Sequence, residues 1–144
     1  MVYLYNKAFS SSRLIGANVR YQTPVASTTA EVLSDKELWK LIPHESGCYY
    51  IQNVQYKTQL VHQQASGPIF LYTDDYADQL WKFTDTSTGY YYIESCHTKS
   101  RISLQSSGSS VVPAGGEKEN QQWKLVPKGR TSLYLNILMT VNDS

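Results

Sequence analysis

Along this chain, short apolar and aromatic runs alternate with short polar ones, and no long segment carries an apolar stripe at helical spacing. "YLYN", "GCYYIQN", "GYYYIES" and "IFLY" are built from Tyr, Ile, Val, Leu and Phe, and Gly, Ser, Asn, Asp and Pro fill the gaps between them. That is the pattern of short strands joined by turns. The stretch "AEVLSDKELWKLI" comes nearest to a helical period. It reads as a loop or single turn entering a strand, because its two counterparts further along are not helical.

The counterparts exist because the pattern repeats. "DKELWKLIP", "ADQLWKFTD" and "ENQQWKLVP" contain the three tryptophans, Trp39, Trp81 and Trp123, spaced 42 and again 42 residues apart. Shifted by 42, the second and third parts align without a gap: "GCYYIQN" over "GYYYIES", "TQLVHQ" over "SRISLQ", "IFLY" over "VVPA". The first part fits through "YLYN" and "SRLIG" and then carries four extra residues before Trp39. Repeats of about 1–44, 45–86 and 87–128 with four strands each predict an all-β fold of twelve strands. No such unit can bury its own apolar face, so the three must share one core, and closure about a threefold axis removes exposed strand edges. The tryptophans would fill equivalent places in that core. Leu41, Phe83 and Leu125 would face the same way, and Lys40, Lys82 and Lys124 the other.

Composition narrows the function. The length, 144 residues, suits one compact domain. Thirteen basic and twelve acidic side chains, net +1, form no basic cluster, so nucleic acid is not an expected partner. The longest apolar run, "LYLNILMTV", is about half of what a membrane span needs, so no membrane insertion is expected. The N-terminus lacks the pattern of a signal peptide. Cys48 and Cys96 fall at non-equivalent points of the repeat and read as two free thiols. A soluble protein follows, cytoplasmic or exported without a leader. No HExxH, CxxC, GxSxG or phosphate-loop phrase occurs, and the adjacent Cys96 and His97 would point to opposite faces of a strand. The expectation is a protein that is not an enzyme and needs no metal or cofactor. Residues 129–144 lie outside the repeats. Their run "SLYLNILMTV" is expected to form a strand that packs on the rest of the fold or on a second subunit.

The three phrases "ELW", "QLW" and "QQW" resemble those of the ricin-B-type β-trefoil, or QxW, family, and the resemblance covers residues 2 to about 127. It implies a β-trefoil of three pseudo-symmetric four-stranded repeats, with a shallow sugar pocket in each competent repeat. A second-strand aspartate, a third-strand aromatic and a polar residue beside the motif Gln would bind the sugar. In the second repeat these positions hold Val61 (with His62 beside it), Tyr72, Asp78 and Gln79; Asp74, Asp75 and Tyr76 could supply the missing carboxylate. In the third they hold Ser103, Ala114, Asn120 and Gln121. In the first, Ile15, Lys36 and Glu37 stand there with no aromatic. Structural roles compete at each position. Gln79 and Gln121 would hold the loop before the Trp strand, Asp78 and Asn120 would make turns, Tyr72 would be a half-buried strand residue, and His62 an ordinary surface or rim histidine.

The resulting expectation is a non-catalytic lectin whose partners are glycans or glycoconjugates. Its best pocket is in the second repeat (His62, Tyr72, Asp78, Gln79), and the next is in the third (Ser103, Asn120, Gln121). Shallow pockets bind weakly, so several sites or a homodimer would act together. The alternative is a trefoil that binds protein, such as a protease inhibitor, through the irregular loop 18–35.

Overall fold

A computed structural model describes residues 1–129. Its twelve strands are β1 (Val2–Asn6), β2 (Arg13–Ile15), β3 (Ala26–Thr28), β4 (Leu38–Pro43), β5 (Tyr49–Asn53), β6 (Gln59–Val61), β7 (Phe70–Tyr72), β8 (Leu80–Asp85), β9 (Tyr91–Ser95), β10 (Arg101–Leu104), β11 (Val111–Ala114) and β12 (Gln122–Pro127). A short 3-10 turn precedes the last strand of each repeat, at Asp35–Glu37, Ala77–Gln79 and Glu119–Gln121.

Six of the strands close a ring. β1 pairs with β4, β4 with β5, β5 with β8, β8 with β9, β9 with β12, and β12 returns to β1, all antiparallel. The closing pair sets Val2 opposite Pro127 and Asn6 opposite Trp123. The other six strands form the hairpins β2–β3, β6–β7 and β10–β11, each joined to the ring through its first strand. A barrel of six strands with three hairpins over one end is the β-trefoil that the repeat implied, and the ring has no open edge.

Alternation along β4, β8 and β12 sets the core. All three strands share one burial pattern, with the Trp buried, the Lys exposed and the residue after it half-buried. Trp39, Trp81 and Trp123 have no exposed surface. Each indole Nε1 donates to a second-strand carbonyl: Trp39 to Leu14 (3.2 Å), Trp81 to Leu60 (2.9 Å) and Trp123 to Ile102 (2.9 Å). The one polar atom of each core aromatic is thereby satisfied. Leu41, Phe83 and Leu125 pack against this core from its margin.

The turns are equally regular. Asn6, Asn53 and Ser95, at the ends of β1, β5 and β9, each accept two backbone N–H groups from the residues that follow. Gly47 and Gly89 hold φ near +88° in the β4–β5 and β8–β9 hairpins, a conformation that costs other residues a steric penalty. At Gly16 a Cβ would come within 2.1 Å of the Asn53 side chain, so the first and second repeats meet there only over a glycine.

Two expectations need correction or a limit. Cys48 and Cys96 are not free thiols: they form a disulfide whose sulfurs lie 2.16 Å apart. Non-equivalence in the repeat argued against a repeated bridge, but it placed no bar on a single staple between the second and third repeats. The strand expected in "SLYLNILMTV" lies outside the described residues. Among those residues, no helix is long and apolar enough to cross a membrane.

Candidate functional site

In the first two repeats the first residue of the second strand meets the motif position before the Trp strand. Arg13 meets Glu37, and Gln59 meets Gln79; both pairs are buried. The Arg13 Nε donates to Glu37 Oε1 at 2.5 Å, and the Gln59 Nε2 donates to Gln79 Oε1 at 2.6 Å. The altered phrase "ELW" thus has a physical reason: an arginine opposite requires a carboxylate where a glutamine opposite accepts an amide. Gln79 also donates to the Thr73 carbonyl at 2.8 Å, which ties down the loop before the Trp strand. Its side chain is fully buried, and both ends are engaged within the protein.

Around this braced loop the second repeat forms a cleft of about 160 Å³. Val61, Phe70, Tyr72 and Asp78 line it, with Gln79 at its base. Tyr72 lies opposite Gln59 on the paired hairpin strand, half-buried. Asp78 sits in the 3-10 turn, where its carbonyl accepts the His62 N–H at 3.0 Å. Its carboxylate oxygen Oδ1 is buried without any hydrogen-bond partner. A buried carboxylate oxygen of this kind takes its donor from an ordered water or a bound molecule. Of the two neighbouring aspartates, Asp75 uses its carboxylate within the protein, Oδ1 accepting from Gln59 Nε2 at 3.2 Å, whereas Asp74 accepts from the same amide only through its backbone carbonyl, at 2.6 Å.

Three residues of this cleft escaped the sequence reading or were undervalued by it. Tyr21 and Gln63 line the cleft, as does Tyr76. Tyr21 belongs to the irregular loop 18–35 of the first repeat, which lies down on the second. Arg20 bridges to Leu71, its N–H donating to the Leu71 carbonyl at 3.1 Å, and the Val25 N–H donates to Ile69 at 2.9 Å. The only sequence signal was the break in the period, which showed that a loop existed but not where it went.

His62 takes no part in the cleft. It follows Val61 and therefore points to the other face of the hairpin, where it is completely buried. Its Nδ1 bonds Thr98 Oγ1, and its Nε2 lies 3.0 Å from the Gly67 carbonyl. The expectation of a surface or rim histidine is therefore overturned. Burial pushes its pKa below the usual imidazole value, against the Gly67 carbonyl, which raises it; nearby His97 lowers it further.

The third repeat is built differently. Arg101, the counterpart of Gln59, turns away from Gln121. Its guanidinium lies 3.9 Å from the centre of the Tyr92 ring, with Nε bonded to Glu94 at 3.2 Å and Nη1 to the Gly116 carbonyl at 2.5 Å. Gln121 keeps one bond, Nε2 to the Gly115 carbonyl at 2.9 Å, and its Oε1 is buried and unpartnered. Ser103 Oγ and Asn120 Oδ1 are likewise buried without partners. A hollow of about 580 Å³ opens beside them, lined by Glu94, Lys99, Arg101 and the 115–117 loop. None of Ser103, Asn120 and Gln121 lines that hollow. Among the described residues, every unpartnered buried side-chain polar atom belongs to one of the positions aligned as sugar contacts. No group of three or more potential metal ligands occurs among them.

Comparison with known proteins agrees with this geometry. The sequence profile of the ricin-type beta-trefoil lectin domain-like family matches residues 35–117 and 77–140, and the chain belongs to that family. No curated protein sequence matches it. SeviL bound to asialo-GM1 saccharide superposes with a TM-score of 0.73 at 15% identity, over 89% of this chain and 97% of that one. The Polyporus squamosus lectin bound to a human-type influenza-binding epitope gives 0.73 at 18%, over 86% of this chain and 47% of that one. An exo-beta-1,3-galactanase from Clostridium thermocellum gives 0.74 at 28%, over 87% of this chain but only 29% of the enzyme.

Proposed function

We propose that the protein is a non-catalytic lectin whose main glycan site is the second-repeat cleft. The observation that carries this reading is Asp78 Oδ1, a buried and unpartnered carboxylate oxygen in the same cleft as the Tyr72 ring. A sugar offers what that pair lacks: hydroxyl donors for the carboxylate and an apolar C–H face for the ring. The family is lectin-like, and two proteins of the same fold were solved with saccharides bound, which supports the reading. Gln79 contributes by bracing the loop that carries Asp78.

The third repeat is a weaker site, with Ser103, Asn120 and Gln121 supplying acceptors but Ala114 offering no ring. The first repeat is silent, since the buried Arg13–Glu37 pair occupies its polar position. Glycans or glycoconjugates are the partners, and several sites or a homodimer raise the weak affinity of one pocket. A thiol hydrolase has no nucleophile here, because both cysteines are in the disulfide. That disulfide suits an oxidising surrounding better than a reducing one.

The test is a glycan array probed with the wild-type chain and with Tyr72→Ala, Asp78→Ala side by side. Defined hits that the double variant loses are the expected result. Hits that survive unchanged would move the site out of this cleft. A blank array with folded wild-type protein would overturn the lectin reading.

A further inference from the structure

The second-repeat cleft has a wall from another repeat. Tyr21 comes from the first-repeat loop, and its ring stands edge-to-face on Phe70 (centroids 5.3 Å, planes at 75°) and on Tyr72 (6.2 Å, 64°). Two backbone contacts flank it, Arg20 to Leu71 and Val25 to Ile69, and the Thr23 N–H closes a turn onto Arg20 at 3.0 Å. The Gln22 side chain adds a bond to Gln63 at 3.1 Å. The loop is therefore anchored on both sides of the tyrosine, while Tyr21 as a residue stays 60% exposed. An anchored backbone under an exposed ring is a preorganised contact surface, because little conformational freedom remains to be lost on binding. Tyr72 and Tyr21 make a corner that a pyranose can fill against two rings at once.

Charge adds a second constraint. Asp78 is the one ionisable group among the lining residues other than tyrosine, and no lysine, arginine or histidine is among them. An anionic sugar would bring its charge beside an unpartnered carboxylate oxygen with no cation to meet it. The hollow of the third repeat, with Lys99 and Arg101 in its wall, has no such bias.

We propose that Tyr21 is a specificity-determining residue of a site shared between two repeats, and that this corner selects an uncharged sugar over an acidic one. The proposal rests on the second-repeat cleft being the glycan site, and the experiment separates the two. The full chain and its Tyr21→Ala, Tyr21→Phe and Tyr72→Ala variants are titrated on an array that pairs neutral galactosides, glucosides and mannosides with sialylated and sulfated counterparts, with melting temperature recorded for each. The expected result is binding to neutral members, at least tenfold weaker binding to their acidic counterparts, and a loss of about three- to tenfold for Tyr21→Ala. Tyr21→Phe should retain binding, and the melting temperature of both Tyr21 variants should stay near wild type. Loss on Tyr72→Ala but none on Tyr21→Ala would overturn this inference and leave the cleft as the site. Equal binding of acidic and neutral members would overturn the selectivity. Binding indifferent to Tyr72→Ala would overturn the site and this inference with it.

Discussion

The second and third repeats align without a gap, yet they treat the same buried amide in opposite ways. In the second, Gln79 Oε1 receives Gln59, and the loop it braces leaves only Asp78 Oδ1 without a partner. In the third, Arg101 has gone to Tyr92, Glu94 and Gly116, and three polar atoms are left over. One residue explains why Gln121 Oε1 is left over where Gln79 Oε1 is not. A glutamine opposite a glutamine pairs with it; an arginine there has no carboxylate to meet and finds one on the neighbouring strand instead. The first repeat is the limiting case, since its arginine does meet a carboxylate, Glu37. Overlaying a motif shows which positions correspond. The residue across from each position decides whether its side chain is spent on the protein or left for a ligand.

The charged version of this contact should be the most sensitive to change. Glu37→Gln restores the motif in sequence but leaves Arg13, a residue only 4% exposed, without its carboxylate. A loss of about 3–5 kcal/mol in denaturant unfolding is expected. Arg13→Gln combined with Glu37→Gln copies the second repeat and should recover most of that loss. If the single change is harmless, the pair does not govern the motif. A smaller contrast separates the other two repeats. Gln79→Ala removes one of the acceptors of Gln59 Nε2 and leaves the Thr73 carbonyl without its donor, and should cost about 1–3 kcal/mol. Gln121→Ala releases only the Gly115 carbonyl and should cost about 1 kcal/mol or less. Equal costs in urea melts would mean that the two glutamines do the same work.

The smallest effect concerns acid. His62 is buried and its folded pKa lies below the ordinary imidazole value, so the unfolded chain binds the proton first. Stability is therefore present above about pH 6.5 and is lost as pH falls from there towards the folded pKa. The third repeat has Leu104 at the equivalent position. His62→Leu should accordingly flatten the melting temperature between pH 7 and pH 5, whatever it does to the absolute value. An unchanged slope would show that other groups carry the acid sensitivity.

Much of the fold was legible before any coordinates. Trp39, Trp81 and Trp123 marked the period, and alternation around them fixed the faces of β4, β8 and β12, because side chains on a strand point to alternate sides. Four of the residues that the sequence proposed as sugar contacts, Asp78, Ser103, Asn120 and Gln121, are the ones with unpartnered buried side-chain atoms among the described residues. The same rule of alternation, applied strictly to Val61 and His62, would have removed His62 from the site.

The sequence by itself determined the number of repeats, the residues that enter the core and the positions facing each hairpin, all of which follow from local periodicity. Tertiary structure alone decided what meets across the repeats. It laid Tyr21 beside Tyr72, joined Cys48 to Cys96, set His62 against Thr98, and left Arg101 to choose Glu94 over Gln121. These contacts depend on how the closed ring brings distant strands together. A repeat in sequence implies that the ring closes but not which side chains then meet, because each unit meets neighbours that differ from its own copies.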